Sequence, residues 1–429
     1  MNPTLSALDL THGAPAGAET VPTLSPHLKP PTILGNGALF RFAVNGGDLD
    51  KVSSFFAGQP GDAAALLDLA LVHLLQRRSA EAYAIQRQAL ARQQVFRVVG
   101  TAGKEAPVRR RVLAFVAPGD FTNNAQLEFL LDGGDTGLDV VYLMPGQPLP
   151  AVLPDHDVAF CAVNESEENL PLLRRLARLA RAWPRPVLNV PENVAQLSRD
   201  GVAALLQDVP GLCAPGVRRV GPDELARAAA DSAARDAWGV AYPLLVRPID
   251  SHGGRNLARI DGRAALAAYL QDLEKMPAGF FLTPFLDYRS PDGLFRKYRL
   301  IFFEGAPFLC HLAISSHWMI HYVNAGMADD DAKRAEEARA METGDFARRH
   351  AAALTALHAR LGLDYVIADC GELPDGRLLL FEADTAMVVH ATDSPTLYPY
   401  KQGQMARVFD AFRTMIDRAA ARPSGLPAR

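Results

Sequence analysis

The chain has 429 residues, 49% hydrophobic and 21% charged, and carries a net charge of −4 from 44 Lys+Arg against 48 Asp+Glu. It is too long for one ordinary domain and points to two or three with full cores, and its near-neutral balance excludes bulk recruitment to nucleic acid or anionic membrane. No apolar run approaches the ~20 residues of a membrane span, and four scattered cysteines (Cys161, Cys213, Cys310, Cys370) without a C-x-x-C pair argue against structural zinc or a disulfide framework.

The N-terminus has no basic segment followed by an apolar one, so no secretory signal is expected and the reading is cytoplasmic. Residues 1–32, rich in Pro, Ala, Gly and Thr, read as a flexible arm. A helical subdomain is expected over 33–105. Ala63, Leu66, Leu67, Leu69, Ala70, Val72 and Leu75 form one wide apolar face, and Ala80, Ala82, Ala84, Ile85 and Ala89 form another beyond Arg77-Arg78-Ser79. Two short helices joined this way resemble one tetratricopeptide-type hairpin; an ordinary helical subdomain packed on the main body is the simpler alternative.

An α/β domain is expected over 106–192. Arg109-Arg110-Arg111, read as a solvated strand start, leads into the buried-strand run Val112–Val116. Further apolar strands are Leu138–Leu143, Val158–Val163 and Pro186–Val190, with helices at Ala125–Leu131 and Leu170–Trp183. Strands alternating with helices imply a parallel sheet covered on both faces. The next domain runs over 193–420, with 421–429 as a tail. It opens on a helix over Val194–Leu206 preceded by Asn193 as N-cap. An Ala-rich helix over Pro222–Ala237 and the strand Tyr242–Val246 follow.

That strand ends on Arg247-Pro248 and a loop containing His252-Gly253-Gly254. Consecutive glycines let backbone N–H groups cradle phosphate oxygens, and Arg247 adds a fixed charge with several donors. Gly-Gly also occurs in ordinary turns, so this segment alone does not decide. Phe280–Asp287 is an apolar strand interrupted by Pro284; the lost ladder donor predicts an edge or hinge strand, with apolar walls and free backbone groups suited to an adenine ring. Lys297 and Arg299 alternate on the next strand, hence share a face.

Two very apolar runs then end in acids: Leu363–Asp369, and Arg377–Phe381 followed by Glu382-Ala383-Asp384. Leu373-Pro374-Asp375-Gly376 between them is a strong turn signal, so a β-hairpin or two adjacent strands gather the carboxylates at one end. Glu382 and Asp384 point to one face. Converging carboxylates call for a cation, and magnesium prefers all-oxygen sites shared with phosphates. The plainer alternative is a solvated strand end.

In this order, from about Val112 to Ile416, the pieces resemble the ATP-grasp superfamily, in particular its glutathione synthetase and ribosomal-protein glutamate ligase branch. The resemblance implies a pre-ATP-grasp α/β domain followed by a two-subdomain ATP-grasp fold. It implies Arg199, Arg247, Gly253, Gly254 and the hinge Thr283, Pro284, Phe285, Leu286 and Asp287 as ATP-binding, and Arg299 as catalytic. Asp369, Glu382 and Asp384 would hold magnesium, with two ions expected. Two positions depart from the pattern: Arg247 stands where the branch usually has Lys, and Asp384 where it usually has Asn. The implied activity is an ATP-dependent carboxylate–amine ligase working through an acylphosphate. The alternatives are a phosphotransferase, or a protein-binding module regulated by ATP.

His311–Ala325 is rich in His and aromatic residues, and His317 and His321 would share a face if it is helical. With no third ligand at matching spacing, zinc is a poor reading. His317, His321, Asn324 and His390 are candidates for substrate binding or for deprotonating the amine, against satisfied histidines lining a core. Lys401 reads as a surface lysine, with closure over substrate as the alternative, and Asp331–Glu342 as a solvated helix or lid. Expected partners are small-molecule or peptide carboxylate and amine substrates, with a peptide or carrier protein held by the helical segment, and a homo-oligomer, a dimer, as assembly.

Overall fold

The computed structural model describes residues 20–100, 107–231, 238–251 and 253–422. Most of the N-terminal arm, the end of the tail, the second half of the Ala-rich helix and His252 lie outside these. The architecture is mixed α/β, with four sheets distributed over two compact units.

The first unit comprises 1–163, 168–195 and 416–429. β1 (Thr23–Ser25) is followed by β2 (Thr32–Ile33) and four helices: α1 (Gly35–Val44), α2 (Leu49–Ala57), α3 (Ala63–Leu75) and α4 (Ser79–Arg92). Every residue of α3 from Ala64 to Val72 is buried, so it is an interior helix, and α4 packs against it. Asp68 alone is polar in that run. Its two oxygens accept from the Leu34 and Gly35 N–H groups at 2.8 and 3.0 Å, and Glu128 accepts from Gly37 N–H at 2.6 Å. Two carboxylates thereby satisfy the orphan donors at the start of α1. Gly35 is required there: its φ is +77°, and a Cβ would sit 2.6 Å from a Glu128 oxygen.

The sheet of this unit is built from β2, β3 (Val95–Val98), β4 (Arg110–Val116), β5 (Thr136–Tyr142), β7 (Val158–Cys161) and β8 (Val187–Leu188) in the order β2-β3-β5-β4-β7-β8, while β6 (Val152–Pro154) pairs with β1. β4, β5, β7 and β8 are parallel, as their near-continuous apolar runs require; β3 is antiparallel to β5. The tribasic run is ion-paired and not merely solvated: Arg109 pairs with Asp135 and Asp417, and Arg111 lies 3.6 Å from buried Asp139.

The second unit comprises 164–167 and 196–415. Its smaller sheet, all antiparallel, has the order β10-β13-β11-β12, from β10 (Arg218–Val220), β11 (Leu244–Pro248), β12 (Ala258–Ile260) and β13 (Phe280–Pro284). β13 is therefore interior, not an edge. Pro284 is tolerated because it is the last residue of the strand, and the ladder resumes with Phe285 N–H donating to Pro243 O at 3.1 Å. The larger sheet runs β15-β14-β16-β17-β9, from β9 (Leu212–Cys213), β14 (Phe295–Phe303), β15 (Ala306–Ser315), β16 (Tyr365–Glu372) and β17 (Leu378–Asp384). β16 and β17 form the hairpin: Gly376 takes φ +83°, Leu373 N–H donates to Arg377 O at 2.9 Å, and Asp375 accepts from Arg377 N–H at 3.1 Å. No helix among the described residues is long and apolar enough to cross a membrane.

Candidate active site

Register in the larger sheet lines up four side chains across four strands. His311 of β15 stands opposite Arg299 of β14, Arg299 opposite Asp369 of β16, and Asp369 opposite Glu382 of β17. Directly opposed residues share a face, so the four form one transverse row. The pairing shifts beside this row twice, between Arg299 and Leu300 and between Asp369 and Cys370. Such bulges re-aim side chains and recur beside functional sites. The Phe381 bulge is accommodated by Gly371, where a Cβ would lie 2.8 Å from the Phe381 ring.

Asp369 is buried, with both of its oxygens engaged. Its Oδ1 accepts from Arg299 Nε at 2.7 Å, and its Oδ2 accepts from Arg299 Nη2 and Lys297 Nζ, each at 2.9 Å. Burial alone would raise its pKa, but Arg299 and Lys297 reverse that and hold the carboxyl well below the usual range. Arg299 donates with Nη1 to Val388 O at 3.2 Å, which ties the segment after β17 to the row. Glu382 pairs with Arg199, whose helix Arg199–Leu206 is N-capped by Ser198. Burial is the largest influence on Glu382 and opposes its ionisation, but Arg199, with Arg247 and Lys297, outweighs it and lowers its pKa to about 2.

Arg247, on β11, donates to the Ser251 hydroxyl at 3.2 Å and to the Ser251 carbonyl. Among the described residues it pairs with no carboxylate. Burial, then the neighbouring Arg199 charge, lowers its pKa to about 10. Gly254, at φ +70°, packs against His321: a Cβ there would lie 2.6 Å from His321 Nε2. Gly253 (φ +62°) has nothing among the described residues within 4 Å of where a Cβ would stand. The glycine loop and the His321 segment, far apart in sequence, therefore meet.

The hinge residues are arranged as follows. The Thr283 hydroxyl donates to Gly216 O at 3.0 Å, and Phe285 lies under the Arg259 guanidinium (4.4 Å) and edge-on to Trp318 (5.6 Å). Pro284 and Leu286 are half-buried; Asp287 is exposed and paired with Arg289. His317 is exposed in the loop after β15 and Asn324 is exposed, its Oδ1 accepting from His321 N–H at 2.8 Å. The His311–Ala325 segment is thus a strand end, a loop and a single 3₁₀ turn at Val323–Ala325, so His317 and His321 share no helical face. His390 is half-buried, with Nδ1 against the Thr392 hydroxyl at 2.8 Å.

Asp384 turns away to the strand exit, accepting from Ala386 N–H at 2.5 Å and from Asn164 Nδ2 at 3.4 Å. Among the described residues no three His, Cys, Asp or Glu side chains are grouped closely enough to hold a metal ion. Asp369, Glu382 and Asp384 share one end of the hairpin without forming a three-carboxylate cage among the described residues, because Asp369 already accepts three hydrogen bonds from two cations and Asp384 caps the backbone.

Sequence reasoning missed the residues beside the row. His311 has a buried Nε2 with no hydrogen-bond partner among the described residues, and burial, then Arg299, drives its pKa well below the ordinary value, so the ring is neutral. Lys401 is not a surface lysine. It is 3% exposed, donates to the Tyr322 hydroxyl (2.5 Å) and to Asp393 (2.9 Å), and lies against the rings of Tyr322 and Tyr398. Glu337, from the helix Asp331–Thr343 read as solvated, is fully buried; it accepts from Leu312 N–H and the hydroxyls of Tyr322 and Tyr400. Alternation with Arg299 was the one signal available for Lys297; no sequence periodicity marks Glu337 or Lys401.

No family model matches the sequence, and neither does any curated protein. Among solved structures, the chain is similar to the VanG D-Ala:D-Ser ligase from Enterococcus faecalis (11% identity, TM-score 0.43, covering 72% of this chain and 99% of that one). It is also similar to the D-alanine-D-alanine ligase from Coxiella burnetii (10%, 0.46, 72% and 96%) and to a RimK domain protein ATP-grasp from Sphaerobacter thermophilus (17%, 0.39, 70% and 98%). At these identities and scores the likeness assigns no residue and no substrate.

Proposed function

We propose that the protein is an ATP-dependent carboxylate–amine ligase whose nucleotide phosphates lie between Arg247, the Gly253-Gly254 loop and the Arg199–Glu382 pair. The observation that carries the reading is Arg247: a guanidinium with no carboxylate ion-pair partner among the described residues, next to a second arginine and beside a positive-φ glycine loop. Such a group gains most from a polyanion, and two forks near backbone donors suit phosphate oxygens.

In the first step a substrate carboxylate oxygen attacks the γ-phosphorus, the bond to the β-bridging oxygen breaks, and ADP leaves. Arg299 is fixed by Asp369 and Val388 O, which leaves its other N–H groups for the transferring phosphoryl oxygens and then for the tetrahedral oxyanion. In the second step the amine nitrogen attacks the acyl carbon, phosphate departs with one former carboxylate oxygen, and the amine sheds a proton. Neutral His311, opposite Arg299 in the row, offers an Nε2 with no hydrogen-bond partner among the described residues to take it. Magnesium fits this donor set where one carboxylate and substrate phosphates suffice; Glu382 would hold it, and the ion would neutralise charge on the phosphates. The acid and amine belong to a small molecule or peptide.

Isothermal titration of Arg247→Ala against Mg·ATP tests the reading. Loss of charge-assisted hydrogen bonds worth roughly 1.5–3 kcal/mol predicts affinity lower by about 10- to 100-fold. Unchanged affinity in a folded variant would reject the phosphate site.

A further inference from the structure

Resting on the nucleotide-ligase reading, we propose that the Lys297 ammonium does the work of a second divalent ion, so that the nucleotide is bound with one metal ion, on Glu382, and not two. Lys297 and Arg299 alternate on β14 and both reach Asp369. The side chain of Asp369 is 1% exposed and those of Lys297 and Arg299 are 11% and 17% exposed, so the cluster is largely shielded from water. Both Asp369 oxygens already accept from cations at 2.7–2.9 Å. A divalent ion on this carboxylate would have to displace the ammonium or sit beside two like charges in a site where screening is weak. The lysine is itself a compact point charge with three donors, suited to an oxygen-lined position that a small cation would take. Glu382 differs. Among the described residues its carboxylate pairs with Arg199 alone, and that arginine has phosphate oxygens as an alternative partner once nucleotide is present. Asp384 adds no second-ion cage, being committed to the Ala386 N–H and Asn164.

The test counts Mn²⁺ bound per chain in the presence of a saturating β,γ-imido analogue of ATP, by electron paramagnetic resonance of free Mn²⁺, on the full chain. One ion is expected for the wild type, two for Lys297→Met, and one again for Lys297→Arg. Two ions on the wild type overturn the inference whether or not either variant folds. A count of one for both the wild type and Lys297→Met overturns it as well, since the lysine would then be irrelevant to stoichiometry. Calorimetry on the same samples separates the two levels. If the analogue binds with two ions, only this inference fails; if it does not bind at all, the nucleotide reading fails and takes the inference with it.

Discussion

Asp369→Asn, measured on the protein without nucleotide or metal, separates a structural counterion from a carboxylate kept only to bind metal. Asp369 holds three charge-assisted hydrogen bonds, from Arg299 Nε (2.7 Å), Arg299 Nη2 (2.9 Å) and Lys297 Nζ (2.9 Å). The amide keeps one acceptor oxygen, removes the negative charge and leaves two cations together inside the sheet. Breaking a buried ion pair by deleting one partner costs about 3–5 kcal/mol, and that is the destabilisation expected here. Urea unfolding followed by tryptophan fluorescence suits the measurement, since Trp238 and Trp318 belong to the second unit. Adding Lys297→Met removes one stranded cation and should recover part of the loss, with a coupling of roughly 1–3 kcal/mol between the two positions. A carboxylate kept only for metal predicts the opposite: without the ion, Asp369→Asn would be neutral or stabilising, because repulsion with Glu382 is relieved. A change within about 0.5 kcal/mol of wild type refutes the counterion argument.

Other perturbations give equally definite expectations. Arg299→Ala should lower turnover about 10²- to 10³-fold with little change in ATP affinity; equal losses in both, from steady-state kinetics and titration, would remove its transition-state role. Glu382→Gln should abolish magnesium-dependent ATP turnover while leaving circular dichroism unchanged, and retained activity sinks the metal assignment. Lys401→Met should destabilise the second unit by about 3–5 kcal/mol, because Glu337 and Asp393 lose their shared cation; a surface lysine would change thermal unfolding hardly at all. In the first unit, burial raises Asp68 from 3.8 to about 6 and Glu128 from 4.5 to about 7. The folded chain then holds more protons than the unfolded one between pH 4 and 7, so stability should fall as pH rises through that window, by on the order of 3 kcal/mol per group. Glu128→Gln, which keeps an acceptor for the Gly37 N–H, should flatten its share of that slope in urea titrations at several pH values.

Local signals carried the hairpin well: Pro374-Asp375-Gly376 between two apolar runs pointed to a hairpin or two adjacent strands, of which the hairpin formed, and Lys297 and Arg299 share a face because strand side chains alternate. The transverse row was not legible. Which residue of β15 faces Arg299, and that Cys310 and Phe381 are passed over at bulges, depends on long-range pairing that no local pattern encodes. Pro284 misled because a proline at a strand's last residue costs no ladder bond, so it did not force an edge. Lys401 and Glu337 misled because a buried lysine is tolerated only through partners brought from elsewhere, here Tyr322, Tyr398 and Asp393. The three acids were correctly read as gathered at one strand end, but the cations that divide their roles come from β14 and from the helix that begins at Arg199.

The most direct test of ligase chemistry follows oxygen. The protein is incubated with Mg·ATP and a pool of amino acids and short peptides bearing ¹⁸O-labelled carboxylates, and the phosphate released is analysed by mass spectrometry. Carboxylate attack on the γ-phosphorus predicts that phosphate carries one ¹⁸O and that a product joined with loss of water accompanies ADP. ADP formed with unlabelled phosphate, or with a phosphorylated substrate and no coupled product, contradicts the ligase.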